Sequence, residues 1–398
     1  MAREHFLNPF AKQKKRRDSQ ELLHQRSGED DDEEPLVAEM KPPRATWQSW
    51  DAAQARGLLR GARRSHAIGV ILFLVGVSVG LMLSSQTTHY RITAASSSMA
   101  HGLLRRVPLD PYLLRLMTFN LRYGSSAQQG PSSWQERRAH VADVIRRYHP
   151  HIMGTQEGLP AQLQELQDLL PPTYERIGEP RERDGEHAQI FYDSTVVERV
   201  DDGTFWLSET PEVPYSKGWD AKYPRVATWA HFRLRATGLP LVVVNTHLDA
   251  RGQIARTQGV VTIWRHMKAV LQRRGLALTE TPVFLTGDFN TDRSSAVYSY
   301  LTADSDGPRL RDAWLSAAHR IGSVVNTYHD WLGPAFDATP NGTARPDARP
   351  HELHLDWILT RPEMPVVVAE IVTESLNGRF PSDHYPVLAE FLLSSPPQ

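Results

Sequence analysis

Cysteine is absent from all 398 residues. That excludes disulfides, zinc–thiolate sites and thiol nucleophiles, and it leaves the apolar core to hold any domain together. Lysine is scarce in the larger part of the chain: from residue 112 onward only Lys217, Lys222 and Lys268 occur. Over the same stretch 34 acidic residues face 29 basic ones, so there is no strong basic footprint of the kind that holds long nucleic acid. No internal repeat is visible. Long hydrophobic runs are missing too, with one exception at 67–83.

That run, Ala-Ile-Gly-Val-Ile-Leu-Phe-Leu-Val-Gly-Val-Ser-Val-Gly-Leu-Met-Leu, carries no charge. As a helix it spans about 26 Å, and Ser84-Ser85 extend it toward the ~30 Å of a hydrocarbon core. It starts too late to be a cleavable signal peptide, and its neighbours offer nothing to pack against. Residues 67–85 are therefore expected to form one transmembrane signal-anchor helix. Arg56, Arg60, Arg63 and Arg64 precede the run and only Arg91 follows closely. The positive-inside rule then puts the N-terminus in the cytosol and everything after Leu83 in a lumen or outside the cell. Gly76 and Gly80 form a GxxxG pair that allows a weak homodimer.

Residues 1–66 hold a basic cluster, Lys12 to Arg17, and an acidic run, Glu29 to Glu34, with no regular apolar spacing. They read as a disordered cytosolic tail, the basic cluster being either an import signal or simply solvated. Trp47, Trp50, Leu58 and Leu59 suggest a short helix at the cytosolic interface. Residues 86–111, rich in Ser and Thr, read as a stem linker. A single sequon, Asn341-Gly342-Thr343, lies on the expected outer side.

From 112 to 395 the character is that of an α/β domain. Strands are predicted at 113–119, 151–154, 189–192, 228–234, 241–246, 283–286, 354–359, 366–372 and 387–391. Helical spacing is shown by Val141, Val144, Ile145 and Tyr148, and by Leu163, Leu166, Leu169 and Leu170, which Pro171-Pro172 terminate. A longer helix over 255–272 presents Val261, Trp264, Met267, Val270 and Leu271 on one face.

Six of these segments end their apolar run in a carboxylate, amide or imidazole. They are Met117-Thr118-Phe119-Asn120, Gly154-Thr155-Gln156-Glu157, Asn245-Thr246-His247-Leu248-Asp249, Thr286-Gly287-Asp288-Phe289-Asn290, Leu355-Asp356-Trp357-Ile358 and Ser382-Asp383-His384. Each has an ordinary reading by itself: a turn Asn, a solvated Glu, a satisfied core His. Delivered together at strand ends, they make a place for metal-assisted hydrolysis.

In this order the segments resemble the endonuclease/exonuclease/phosphatase superfamily. Asn-Leu-Arg-Tyr-Gly at 120–124, Gly-Thr-Gln-Glu-Gly at 154–158, Thr-Phe-Trp-Leu-Ser-Glu-Thr-Pro at 204–211 and Thr-His-Leu-Asp at 246–249 are similar to its uncharacterised hydrolase branch. The resemblance implies a four-layer α/β sandwich, two mixed sheets face to face with helices outside. It further implies Glu157 as the metal carboxylate, with Asn120 and Asp383 near an Mg²⁺ or Mn²⁺ ion. Asp288 would orient or deprotonate the attacking water, with Asn290 as its partner on the phosphate. His247 and His384 would flank the scissile phosphate, backed by Glu186 and Asp356 respectively. The position of His354, often Arg in the family, carries no assigned role. The expected activity is phosphodiesterase or phosphatase action on a small, lipid or sugar phosphoester. The alternatives are a sphingomyelinase-like phospholipase, a nuclease, or a catalytically silent receptor or scaffold. The last would predict loss of Glu157, Asp288, Asn290 or His384, and none is lost.

Overall fold

The computed structural model describes residues 110–124, 129–304, 307–322, 324, 326–338 and 353–393. The expected tail, membrane helix, Gly76/Gly80 pair, most of the stem and the sequon lie outside the described residues. Among those described, no helix is long and apolar enough to cross a membrane.

Thirteen strands form two mixed sheets among the described residues. One contains β1 (Leu113–Asn120), β2 (Ile152–Gly158), β3 (Tyr174–Ile177), β4 (His187–Asp193), β10 (His319–Ile321), β12 (Val366–Ile371) and β13 (Val387–Leu392), in the order β10-β12-β13-β1-β2-β4-β3. The other contains β5 (Val197–Trp206), β6 (Val226–Leu234), β7 (Pro240–His247), β8 (Val283–Asp288), β9 (Arg311–Asp312) and β11 (Asp356–Arg361), ordered β5-β6-β7-β8-β11-β9. Parallel pairs β1–β2 and β7–β8 sit among antiparallel neighbours.

Strand side chains alternate between faces, and both faces of the central strands are apolar. Leu114 and Leu116 of β1, with Leu241 and Val243 of β7, belong to the core between the sheets, alongside Ile152, Phe284, Ile358 and Phe391. Met117 and Phe119 face the other way, onto α1 (Trp134–Tyr148) and α2 (Pro160–Leu169). Val242 and Val244 meet α3 (Gln253–Arg273) through Val260, Ile263, Trp264 and Met267. The layers are thus helix, sheet, sheet, helix. The expected face of α3 is present in Trp264, Met267, Val270 and Leu271, with Val260 and Ile263 added to it, while Val261 is only half-buried.

The nine predicted strands are present, and β3, β5, β9 and β10 are added to them. These four are the edges of the two sheets. An edge strand keeps one side solvated and favours charge over an apolar run, as β5 does with Glu198, Arg199, Asp201 and Asp202.

Where β1 meets β2, His151 accepts a hydrogen bond from the Arg115 amide at Nδ1, 3.2 Å. Burial, helped by Arg115 and His149, pushes its pKa down to about 3. The unfolded chain takes up this proton near pH 6.5, so the stability contributed by the neutral ring is complete above that pH and is lost on acidification toward 3. Between pH 6.5 and 5 the wild type is expected to lose about 2 kcal/mol relative to a His151→Asn variant, which keeps an acceptor near the same place. Urea melts of both proteins at the two pH values measure it; equal losses would remove His151 as the cause.

Candidate functional site

Period-two alternation builds the site. Asn120 follows Leu114, Leu116 and Thr118 on the inter-sheet face of β1. His247 follows Val243 and Asn245 on β7, Asp288 follows Phe284 and Thr286 on β8, and Asp356 precedes Ile358 on β11. Each polar residue therefore continues a row of core side chains to its end. In the second sheet the register makes His247 and Asp356 the cross-strand neighbours of Asp288 on either side.

Glu157 breaks the alternation. Its parity is that of Met153, which faces the helices, but β2 is bulged between Thr155 and Gly158, and Glu157 adopts a left-handed φ of 64°. A bulge re-aims a side chain, and here it delivers the carboxylate to the site. Gly287, at φ 154°, has no room for a side chain, since a Cβ would lie 2.2 Å from the Thr246 carbonyl oxygen. Beneath the site the sheets come close enough at Gly154 that a Cβ would meet Asn245 Oδ1 at 2.4 Å. Gln156 donates to Asn245 Oδ1 (2.8 Å), and Asn245 donates to the carbonyls of Thr155 and Gln189. These buried amides tie one sheet to the other.

The predicted residues converge. Asn120 Nδ2 donates to Glu157 Oε1 and to Asp288 Oδ2, both at 3.0 Å, and its Oδ1 accepts from the Arg122 amide. Asn290, left-handed at φ 50°, donates its backbone N–H to Asp288 Oδ1 (2.8 Å) and its side-chain amide to His247 Nε2 (2.8 Å). His384 Nδ1 lies 2.8 Å from Asp356 Oδ2, and its Nε2 is 3.8 Å from Asp288 Oδ2. Asp383 is linked to Glu157 through Arg122, which stands 3.6 Å from the one and 3.9 Å from the other.

Glu186 departs from expectation. It stands 3.9 Å from His247 Nδ1, beyond hydrogen-bond reach, and that nitrogen has no partner. Arg181 takes both Glu186 oxygens instead, at 3.0 Å each. His354 is fully buried against Arg293 and Trp314.

The two imidazoles are held in opposite states. Burial alone would lower His384, but Asp356 and then Asp288 and Asp383 overcome it and raise the ring to about 10, so it is a cation at neutral pH. Burial, reinforced by Arg225 and Arg181, drives His247 well below its ordinary value. A neutral His247 that accepts at Nε2 carries its proton on Nδ1. Asp288 is pushed up to about 7 by burial and by Asp356. Asp383 is raised by burial and by Glu157, against the pull of His384 and Arg122.

Buried carboxylates that raise one another in this way hold more negative charge than their surroundings offset. Glu157, His247 and Asp288 bring ligand atoms within 4.8 Å of one another. Carboxylate and amide oxygens without thiolate suit a hard divalent cation, so the residues present fit Mg²⁺ or Mn²⁺.

Several contributors to the site are assigned no role by the sequence pattern. Arg137, buried on α1, donates to the carbonyls of Leu121, Arg122, Ser132 and Pro381, and so clamps the loops after Asn120 and before Asp383. Asp249, the last residue of the Thr-His-Leu-Asp motif, accepts from the amides of Arg251, Gly252 and Lys222 and from Arg225 Nε. Tyr328 sets its ring edge-on to His384 at 5.1 Å. Arg181 and Arg225 have no distinctive spacing; only the reach of their side chains brings them to His247.

The family model described as Endonuclease/Exonuclease/phosphatase family matches residues 117–384. An endonuclease/exonuclease/phosphatase of Bacteroides vulgatus is 35% identical, with 71% of this chain and 99% of that one covered and a TM-score of 0.61. A mannosyl-6-phosphatase of Bacteroides thetaiotaomicron is 30% identical over 70% of this chain and 99% of its own, with a TM-score of 0.59. The human Nocturnin catalytic domain, solved with bound sulfate, is 19% identical over 72% and 96%, with a TM-score of 0.51, a likeness of fold alone. Among curated proteins none matches.

Proposed function

The chain belongs to the endonuclease/exonuclease/phosphatase family, whose members are phosphoester hydrolases, and from that premise we propose that it hydrolyses a small sugar or lipid phosphoester in a divalent-metal-dependent reaction. The observation that carries the reading is the placing of the Asp288 carboxyl, whose Oδ2 lies 3.5 Å from His247 Nε2 and 3.8 Å from His384 Nε2 while Asn120 and the Asn290 amide donate to it; burial and Asp356 raise it toward neutrality. A general base works best when its pKa lies near the operating pH. Asp288 accepts the proton of the attacking water, and Asn120 and the Asn290 amide fix its orientation. His384, cationic through Asp356, donates to a phosphoryl oxygen as charge grows there. His247 stands on the opposite side of Asp288, its ring held by Asn290 through Nε2, which lies 3.5 Å from Asp288 Oδ2. Glu157, with Asp383 and Asn120, would hold Mg²⁺ or Mn²⁺, which supplies positive charge to the phosphoryl group when bound.

A sugar phosphate is favoured by the 30% identical mannosyl-6-phosphatase and by the weak basic character of the domain. A second reading, a sphingomyelinase-like activity, draws on Leu332, which is 53% exposed and four residues from Tyr328 in the chain. Attachment through 67–85, with the site in a lumen or outside the cell, rests on the uncharged run and its flanking arginines. The full-length protein in detergent, assayed with Mg²⁺ and with a chelator against sugar, inositol, nucleotide and sphingolipid phosphoesters, tests the proposal. Metal-dependent release of phosphate from sugar phosphates is expected; release of phosphocholine alone would favour the second reading, and no turnover of any ester would end both.

A further inference from the structure

Arg122 follows Asn120 by two residues, and its backbone is left-handed, with φ 53°. A long side chain keeps that conformation only where its surroundings impose it. Here three contacts do so. The Arg122 amide donates to Asn120 Oδ1 at 2.9 Å, and its carbonyl accepts from Gln162 Nε2 at 2.9 Å and from Arg137 Nη2. All three hold the main chain; what they aim is the side chain.

The group so aimed is a guanidinium that makes no hydrogen bond among the described residues. Its Nε stands 3.6 Å from Asp383 Oδ2 and its Nη1 3.9 Å from Glu157 Oε2, ion-pair approaches too long for hydrogen bonds. The Tyr123 ring supports it from one side, 4.7 Å from its central carbon. The Arg122 side chain is 36% exposed against 11% for Glu157 and 3% for Asp383, so it stands at the solvent edge of the two acids. Arg137 is the contrast: all of its nitrogens donate to main-chain carbonyls, which leaves none for a ligand.

A guanidinium fork matches two oxygens of one phosphoryl group. In the hydrolase reading that group lies between Asp288, His384 and the Glu157–Asp383 pair, and Arg122 borders this space. Ser382 Oγ donates to the Asn120 carbonyl at 2.7 Å and so fastens the loop before His384 to the one that carries Arg122. A phosphate monoester offers three terminal oxygens and a charge of about −1.5 to −2 at neutral pH. A diester has one terminal oxygen fewer and a single charge. In a site that already holds Glu157, Asp288, Asp356 and Asp383, the extra charge of a monoester calls for a further fixed cation.

We propose that Arg122 binds the phosphoryl group directly and selects monoesters over diesters, its fork holding the terminal oxygen that a diester has esterified. The inference rests on the hydrolase reading above and makes the enzyme a phosphatase rather than a phosphodiesterase.

p-Nitrophenyl phosphate and bis(p-nitrophenyl) phosphate share a leaving group, so the ratio of their kcat/KM isolates this contact. Full-length wild type with Mg²⁺ should favour the monoester. Arg122→Met, which makes the same demand on the backbone, should lower the monoester-to-diester ratio about tenfold to a hundredfold, the worth of a charged hydrogen bond, with Arg122→Lys falling between. Calorimetry with Mn²⁺ alone should give Arg122→Met a dissociation constant within about threefold of wild type or tighter, since a cation beside the carboxylates has gone. Both esters falling alike overturns the proposal. So does metal binding weakened about tenfold or more, which would mean that Arg122 acts by arranging Glu157 and Asp383. A wild type that prefers the diester also overturns it, while the hydrolase reading survives; one that cleaves no phosphoester ends both. Should Arg122→Met fail to fold, Arg122→Lys decides, because it keeps the charge and gives up the fork: a ratio lowered about threefold or more supports the contact, and an unchanged ratio refutes it.

Discussion

Replacing Asp288 by Asn is expected to lower kcat by roughly 10²–10⁴-fold, the range lost with a general base. Asp288 receives Asn120 Nδ2 on one oxygen and the Asn290 amide on the other. An Asn side chain keeps the shape but turns one acceptor into a donor that faces a donor. It also cannot take the proton from water. The loss should appear in kcat with little change in KM, because Asp288 acts on the water rather than on the bound ester. Steady-state kinetics on the best substrate measure it, and a variant within tenfold of wild type would refute the assignment.

The second large effect concerns Glu157. A chelator is expected to abolish turnover, and Mg²⁺ or Mn²⁺ to restore it. Glu157→Gln should raise the metal concentration for half-maximal activity by at least about a hundredfold, because even partners of a metal ligand cost roughly 10–100-fold in affinity when removed. Gln retains one of the two hydrogen bonds that Glu157 accepts, from Asn120 at Oε1 or from the Tyr123 amide at Oε2, so recovery of activity at high metal concentration is what separates the missing charge from the broken contact. Activity against free metal, with calorimetry using the metal alone, measures both sides. Full activity in excess chelator would overturn the role.

Much of the fold and the site is legible in the amino-acid sequence. The nine interior strands announce themselves because burial on both faces demands β-branched and aromatic runs, as in Leu241-Val242-Val243-Val244. The remaining four strands are the sheet edges, where a solvated side removes that demand. Among site residues, Asn120, His247, Asp288 and Asp356 are legible because each ends a strand whose register fixes its direction. Glu157 is legible only by resemblance: its parity points the wrong way, and a bulge that the sequence does not advertise turns it round. The contact expected between Glu186 and His247 is a 3.9 Å approach rather than a hydrogen bond for a different reason. Arg181, five residues earlier, competes for the same carboxylate and wins with a two-point clasp. Long side chains that reach across a loop leave no periodic trace, and so Arg137, Arg181 and Arg225 emerge only in three dimensions.

The site is divided between the two sheets: Asn120 and Glu157 come from one, His247, Asp288 and Asp356 from the other. Neither half contains a working set. Turnover is therefore a gauge of how the sheets are seated on each other, sensitive to a slip of one residue that circular dichroism would not register. The amide ties from Gln156 through Asn245 act as the locating pin of that joint.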